Sequence, residues 1–151
     1  MSRSVVVPLI RELARCYQAF QRASDAHIRQ SGLTSPQFDI VATLGNTPGL
    51  SFKELGSRTL ITKGTLTGVV DRLEGRGLVE RMACPADGRS TLVRLTPEGE
   101  RIFHDVFEPH LAYLAPAFES MPEDTRKELE IRLRELREAL EMRRDEFNSK
   151  Q

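Results

Sequence analysis

A chain of 151 residues with 22 basic side chains, 22 acidic ones and 39% hydrophobic residues is about the length of one ordinary domain, able to bury a core without disulfides or a structural metal. Two cysteines, Cys16 and Cys84, exclude a framework of bridges, and no apolar run resembles a secretory leader or approaches the ~18 residues of a membrane span, so a reducing cytoplasm is the expected setting. A formal net charge of zero neither demands nor excludes nucleic acid, so the distribution of charge has to decide.

Leu9, Leu13, Cys16, Phe20 and Ala23 recur at helical spacing. They predict a first helix from about residue 5 to residue 30, closed by Gly32, with Cys16 packed among apolar neighbours. Thr34-Ser-Pro-Gln37 is a capping-box pattern that opens a second helix carrying Phe38, Val41, Ala42 and Leu44. Residues 46–49 end it. Ser51-Phe-Lys-Glu54 repeats the pattern before a short helix that stops near Thr59. Thr62 then caps a helix over 62–75 whose Leu66, Val69, Val70 and Leu73 form one face. The opposite face carries Gly64 and Gly68, and each costs an exposed helix roughly 1 kcal/mol relative to alanine.

The period changes next. Residues 78–83 and 91–96 flank the turn-rich CPADGRS and predict two strands joined as a hairpin. Thr96-Pro97-Glu98 starts a helix with Ile102, Phe103 and Val106 on one face, which Pro109 and Pro116 should kink or interrupt. Ser120-Met-Pro-Glu123 opens the last helix, lined by Leu129, Leu133, Leu136 and Leu140. The expected fold is mainly α with a small β-hairpin wing (α+β), because three helices followed by a hairpin are the layout of a winged helix-turn-helix. The flanking helices hold more apolar surface than so small a core covers, which favours a symmetric dimer.

Charge follows the same division. Between residues 58 and 94, Arg58, Lys63, Arg72, Arg76, Arg81, Arg89 and Arg94 face only Asp71, Glu74, Glu80 and Asp87, whereas the tail from Glu119 is rich in acids. A middle that faces an anion has this composition.

LTSPQFDIVATL, ELGSRTLITKGTLTGVVDRLEGRGLVER and DGRSTLVRLTPEG resemble the MarR family of bacterial transcriptional regulators, over about residues 33–99. The wing pattern is the most specific part, met by Asp87, Arg89, Ser90, Val93, Leu95, Thr96 and Gly99. The resemblance implies a single domain over 1–151, with a DNA-binding lobe at about 34–99 and dimerisation helices at about 5–30 and 100–147. It implies a triangular homodimer that binds a pseudo-palindromic double-stranded DNA operator, usually represses, and is released by a small phenolic or anionic effector.

In that reading Thr62, Lys63, Thr65 and Thr67 supply phosphate and base-edge contacts, and Gly64 and Gly68 let the helix backbone sit deep in the major groove. Arg89 enters a narrow minor groove from the wing tip. Asp87 is a structural residue of the wing, expected to pair with Arg89 or Arg81. Arg72 and Arg81 are phosphate candidates, as are Arg76 and Arg94 more weakly. Tyr17, Phe20, His27, Phe38, Asp39 and Tyr113 are effector candidates by residue type. No cofactor or metal is expected: His104 and His110, six apart, fall on different sides of a straight helix, with Asp105 between them. No serine has the context of a nucleophile elbow, so an enzyme is not expected. Two alternatives stay open, a redox sensor working through Cys16 or Cys84, and a winged helix that docks protein and not DNA.

Overall fold

The structure, a computed structural model, describes residues 3–151. In chain order it contains α1 (Arg3–Ile28), a 3-10 turn (Arg29–Ser31), α2 (Ser35–Leu44), β1 (Leu50–Ser51), α3 (Phe52–Arg58), α4 (Lys63–Gly75), β2 (Val79–Ala83), β3 (Thr91–Leu95), α5 (Pro97–Glu119) and α6 (Glu123–Asn148). Residues up to Tyr113 form one compact unit and Leu114–Gln151 form a second. No described helix is long and apolar enough to cross a membrane.

Both capping boxes close. Thr34 Oγ1 accepts the Gln37 N–H at 3.3 Å while Gln37 Oε1 accepts the Thr34 N–H at 3.1 Å. Ser51 Oγ accepts the Glu54 N–H at 3.1 Å, and the Glu54 carboxylate accepts the Ser51 N–H at 2.8 Å, which holds that carboxyl below its usual range. Orphan amides at two helix starts are thereby satisfied by residues three positions away, which is why these boundaries are legible locally.

The sheet has three strands in the order β1-β3-β2. β2 and β3 pair antiparallel from Val79 opposite Leu95 to Ala83 opposite Thr91, as the hairpin predicts. β1 was not expected. It contributes Leu50 opposite Val93 and Ser51 opposite Leu92, and two residues are too few to show an alternating pattern. Gly49 precedes it at φ 118, and a Cβ there would lie 3.2 Å from the Val93 carbonyl oxygen.

The core of the first unit joins Ile40, Val41 and Leu44 of α2, Leu55 of α3, Leu66, Val69, Val70 and Leu73 of α4, Val79 and Val93 of the sheet, and Phe103 of α5. Gly99 is the tightest point. A Cβ on it would stand 1.9 Å from the carbonyl oxygen of Leu78, so the first turn of α5 can rest on the strand-entry backbone only where no side chain exists.

Three expectations are corrected. α5 runs unbroken through Pro109 and Pro116. Each proline removes a single backbone donor, and the bonds of the neighbouring turns keep the helix continuous. Cys16, expected to pack among apolar neighbours, is exposed, and Cys84 is half-buried. As the excess of apolar surface expected on the flanking helices implies, the α1 stripe is not covered within its own chain, where Leu9 is 58% and Ile10 59% exposed. The first helix also ends earlier than residue 30, giving way to the 3-10 turn that Gly32 closes at φ 77.

In the second unit α6 has no buried residue, and Leu129, Leu133, Leu140, Met142 and Phe147 are exposed along it. Its other faces carry ion pairs at helical spacing, such as Lys127 with Glu123 at 2.6 Å and Arg132 with Glu128 at 2.7 Å. Such exposed pairs are screened by water and add little to stability.

Candidate nucleic-acid interface

α4 divides sharply in two. Leu66, Val69, Val70 and Leu73 are buried, which turns Thr62, Lys63, Gly64, Thr65, Thr67, Gly68 and Arg72 outward, all exposed. Thr62 is the N-cap residue, as expected, but its hydroxyl lies 3.0 Å from the Thr65 hydroxyl and caps no amide. The first turn of α4 therefore lacks a side-chain cap and presents two hydroxyls and Lys63, a set of groups that suits an oxyanion.

Neither Gly64 nor Gly68 has positive φ, and a Cβ at either would meet nothing within 4 Å. Folding of this chain alone therefore does not require glycine at these positions. The bare stripe faces outward, where a close-approaching surface would sit.

The wing is held from inside its own turn. Cys84 N–H donates to the Ser90 carbonyl at 2.8 Å, and Asp87 accepts the Arg89 backbone N–H at 3.0 Å and the Ser90 hydroxyl at 3.2 Å. Asp87, expected to pair with Arg89 or Arg81, grips the turn and pairs with neither guanidinium. Its carboxylate is spent locally, and Arg89 is left exposed at the hairpin tip with no ion pair among the described residues.

The other arginines sort themselves by partner. Arg81, expected as a phosphate contact, is committed elsewhere: its guanidinium bridges Asp71 at 2.5 Å and Glu74 across to α4, and lies 5.4 Å from the centre of the Phe52 ring. Hydrogen bonding to Asp71 raises its pKa further. Arg94 is taken by Glu80 at 2.6 Å, and Arg76 donates to the Gly32 carbonyl at 3.1 Å and to Gln37 at 3.2 Å. Arg72 has no ion pair among the described residues and stands on the outer side of α4. The free cations of the expected set are therefore Lys63, Arg72 and Arg89.

The six effector candidates separate. His27 of α1 stacks on Tyr113 of α5 with ring centres 4.4 Å apart, and Phe38 of α2 sets its edge against His110 at 4.7 Å. Tyr17 and Phe20 lie on the exposed stripe of α1, where Tyr17 accepts a hydrogen bond from Gln21 at 3.2 Å. Asp39 is engaged in the fold: its Oδ2 accepts the Leu60 backbone N–H at 2.8 Å, and burial raises its pKa more than that hydrogen bond lowers it. The residue that joins the cluster, His110, was considered only for metal binding. It is 3% exposed and contacts Ser24 and His27. No linear signal marks it, since Ser24 and His110 are 86 positions apart.

A model of the MarR family matches residues 33–91 of the chain. The HTH-type transcriptional regulator MhqR of Bacillus subtilis is 31% identical over 100 residues, which cover 66% of this chain and 69% of MhqR. Among solved structures, Bordetella bronchiseptica BpsR, whose DNA binding is regulated by 6-hydroxynicotinic acid, is 28% identical, with a TM-score of 0.74 over 83% of this chain and 90% of its own. A mutant of the E. coli MarR protein complexed with operator DNA is 25% identical, with a TM-score of 0.75 over 87% of this chain and 94% of its own.

Proposed function

Because the chain belongs to the MarR family of transcriptional regulators, we propose that it is a repressor that binds a pseudo-palindromic operator as a homodimer and is released by a small-molecule effector. The observation that carries the DNA reading is the outer face of α4, where Thr62, Lys63, Thr65, Thr67 and Arg72 surround two open glycine positions, beside a wing whose tip holds an unpaired Arg89. α4 enters the major groove with its glycine stripe against the floor, and Arg89 reaches the flanking minor groove. Arg81 acts here as the brace between wing and α4, not as a phosphate contact.

The whole chain serves as one domain, with the lobe at about 34–99 between dimerisation helices at about 5–30 and 100–147. The exposed stripe of α1, with Val5 at 69% and Leu9 at 58%, supports the dimer, since monomers rarely leave so continuous an apolar face in water. His27, Phe38 and Tyr113, gathered around His110, support an aromatic or anionic effector, in keeping with the regulation of BpsR by a hydroxylated aromatic acid.

Mobility shifts with the DNA directly upstream of the gene test the reading. The dimer should retard this duplex with an affinity that falls steeply with salt, because lysine and arginine contacts release counterions. Operator affinity that survived both Arg89→Ala and Thr65→Ala unchanged would overturn the assignment of the recognition elements.

A further inference from the structure

α1 and α5 meet through a chain of polar contacts that accommodates a limited number of protons. Ser24 Oγ lies 3.1 Å from His110 Nε2, and His110 Nδ1 lies 3.1 Å from His27 Nδ1. Two ring nitrogens facing each other need one donor and one acceptor. With both rings neutral, two arrangements satisfy every atom: either His27 donates to His110 and His110 to Ser24, or Ser24 donates to His110 and His110 to His27. One added proton is also accommodated, on either ring: the charged ring donates its Nδ1–H to the bare Nδ1 of the other, and His110 Nε2–H donates to Ser24. A second added proton leaves two N–H groups aimed at each other with no acceptor between them.

We propose that the His27–His110 contact is a proton-operated latch between α1 and α5, closed while the pair holds at most one extra proton and forced open when both rings are charged. The latch regulates the DNA-binding site proposed above, and its effect on operator affinity rests on that reading. The groups facing the pair are Ser24 of α1, Phe38 of α2 and Tyr113 of α5. The nearby carboxylates are committed, Asp25 to the Ser35 hydroxyl and Asp39 to the Leu60 amide, and no carboxylate bonds to either imidazole among the described residues. Nothing there offsets a second charge. Burial, and after it the charge of His27, holds His110 below the usual imidazole range.

α2 links the latch to DNA. It bears Phe38 against His110 and, one residue on, Asp39 holding the backbone that leads into α4. Opening the latch frees Phe38 and with it the seat of α2. The sign follows from the depressed pKa: the unfolded chain binds the proton more readily, so the stability from a neutral His110 is present above pH about 6.5 and is lost as pH falls towards its folded pKa.

The chain has three histidines, which makes the test tractable. Long-range proton–nitrogen NMR of the full-length protein from pH 8 to 5 should show the second of the two protons taken up by His27 and His110 arriving together with loss of the through-space contacts between His27 and Tyr113. In mobility shifts with the upstream duplex, affinity should fall at least tenfold from pH 7.5 to 5.5. His27→Gln, whose amide can turn to donate or accept, should reduce that fall to less than threefold, and His104→Gln should retain it. Protonation of both His27 and His110 with the His27–Tyr113 contacts intact would overturn the latch, as would an acid response abolished by His104→Gln. If the duplex is bound at no pH, the operator reading fails, and the NMR titration still decides the latch.

Discussion

Asp39 Oδ2 accepts the backbone N–H of Leu60 at 2.8 Å, so a half-buried carboxylate on α2 fixes the turn that leads into α4. The bond spans 21 positions and ties two helices of the helix-turn-helix at the point where the outward face of α4 is aimed. Asp39→Ala should lower stability by roughly 1 kcal/mol through loss of the acceptor. Asp39→Asn keeps an oxygen for Leu60 and removes a charge that burial disfavours. Since the folded pKa is raised, the contribution of the protonated acid is present below pH about 3.9 and lost as pH rises through the folded value. The melting temperature of Asp39→Asn relative to wild type should therefore climb between pH 3.5 and 7, as measured by circular dichroism.

Gly68→Ala separates folding from binding. The added methyl meets open space and gains helix propensity of up to about 1 kcal/mol, so thermal unfolding should shift upward. Close approach to the groove floor predicts weaker operator retention, by tenfold or more. A stabilised variant with undiminished affinity would leave the glycine unexplained.

Arg89 and Arg81 should differ in kind. Arg89→Ala is expected to weaken operator binding and reduce the salt slope by about 1, with the melting temperature unchanged. Arg81→Ala removes a two-carboxylate brace whose guanidinium side chain is 27% exposed, and should cost stability of about 0.5–1 kcal/mol. Salt titrations of binding, beside thermal melts, distinguish the two.

Gly99→Ala should be the most damaging of the glycine changes. Its methyl would lie 1.9 Å from the Leu78 carbonyl oxygen, which also accepts the Thr96 N–H at 3.1 Å, so relief requires the start of α5 to move off the sheet. A loss of 1–3 kcal/mol or more is expected, roughly as for overpacking of a close-packed core. Gly64→Ala, with nothing within 4 Å, is the matched control in urea unfolding.

Features that depend on residues three or four apart, or on strict alternation, were legible in the sequence. Thr34 with Gln37 and Ser51 with Glu54 mark helix starts because capping is completed within one turn. The outward placement of Thr65, Thr67, Gly64 and Gly68 follows from the period of Leu66, Val69, Val70 and Leu73. The wing turn was readable too, although the specific grip of Asp87 on the Arg89 amide was not.

What only the tertiary structure decided is which polar groups are spent and which are free. Arg81, Arg89 and Arg94 are the same residue type within one hairpin, yet Arg81 is bound by Asp71 and Glu74, Arg94 by Glu80, and Arg89 by no carboxylate among the described residues. Packing of the strand beside α4 makes that choice, because a charge is neutralised by its neighbour in space. For the same reason His110, set on α5 within reach of Ser24 and His27, became visible only after the chain had brought positions 86 and 83 apart to 3.1 Å.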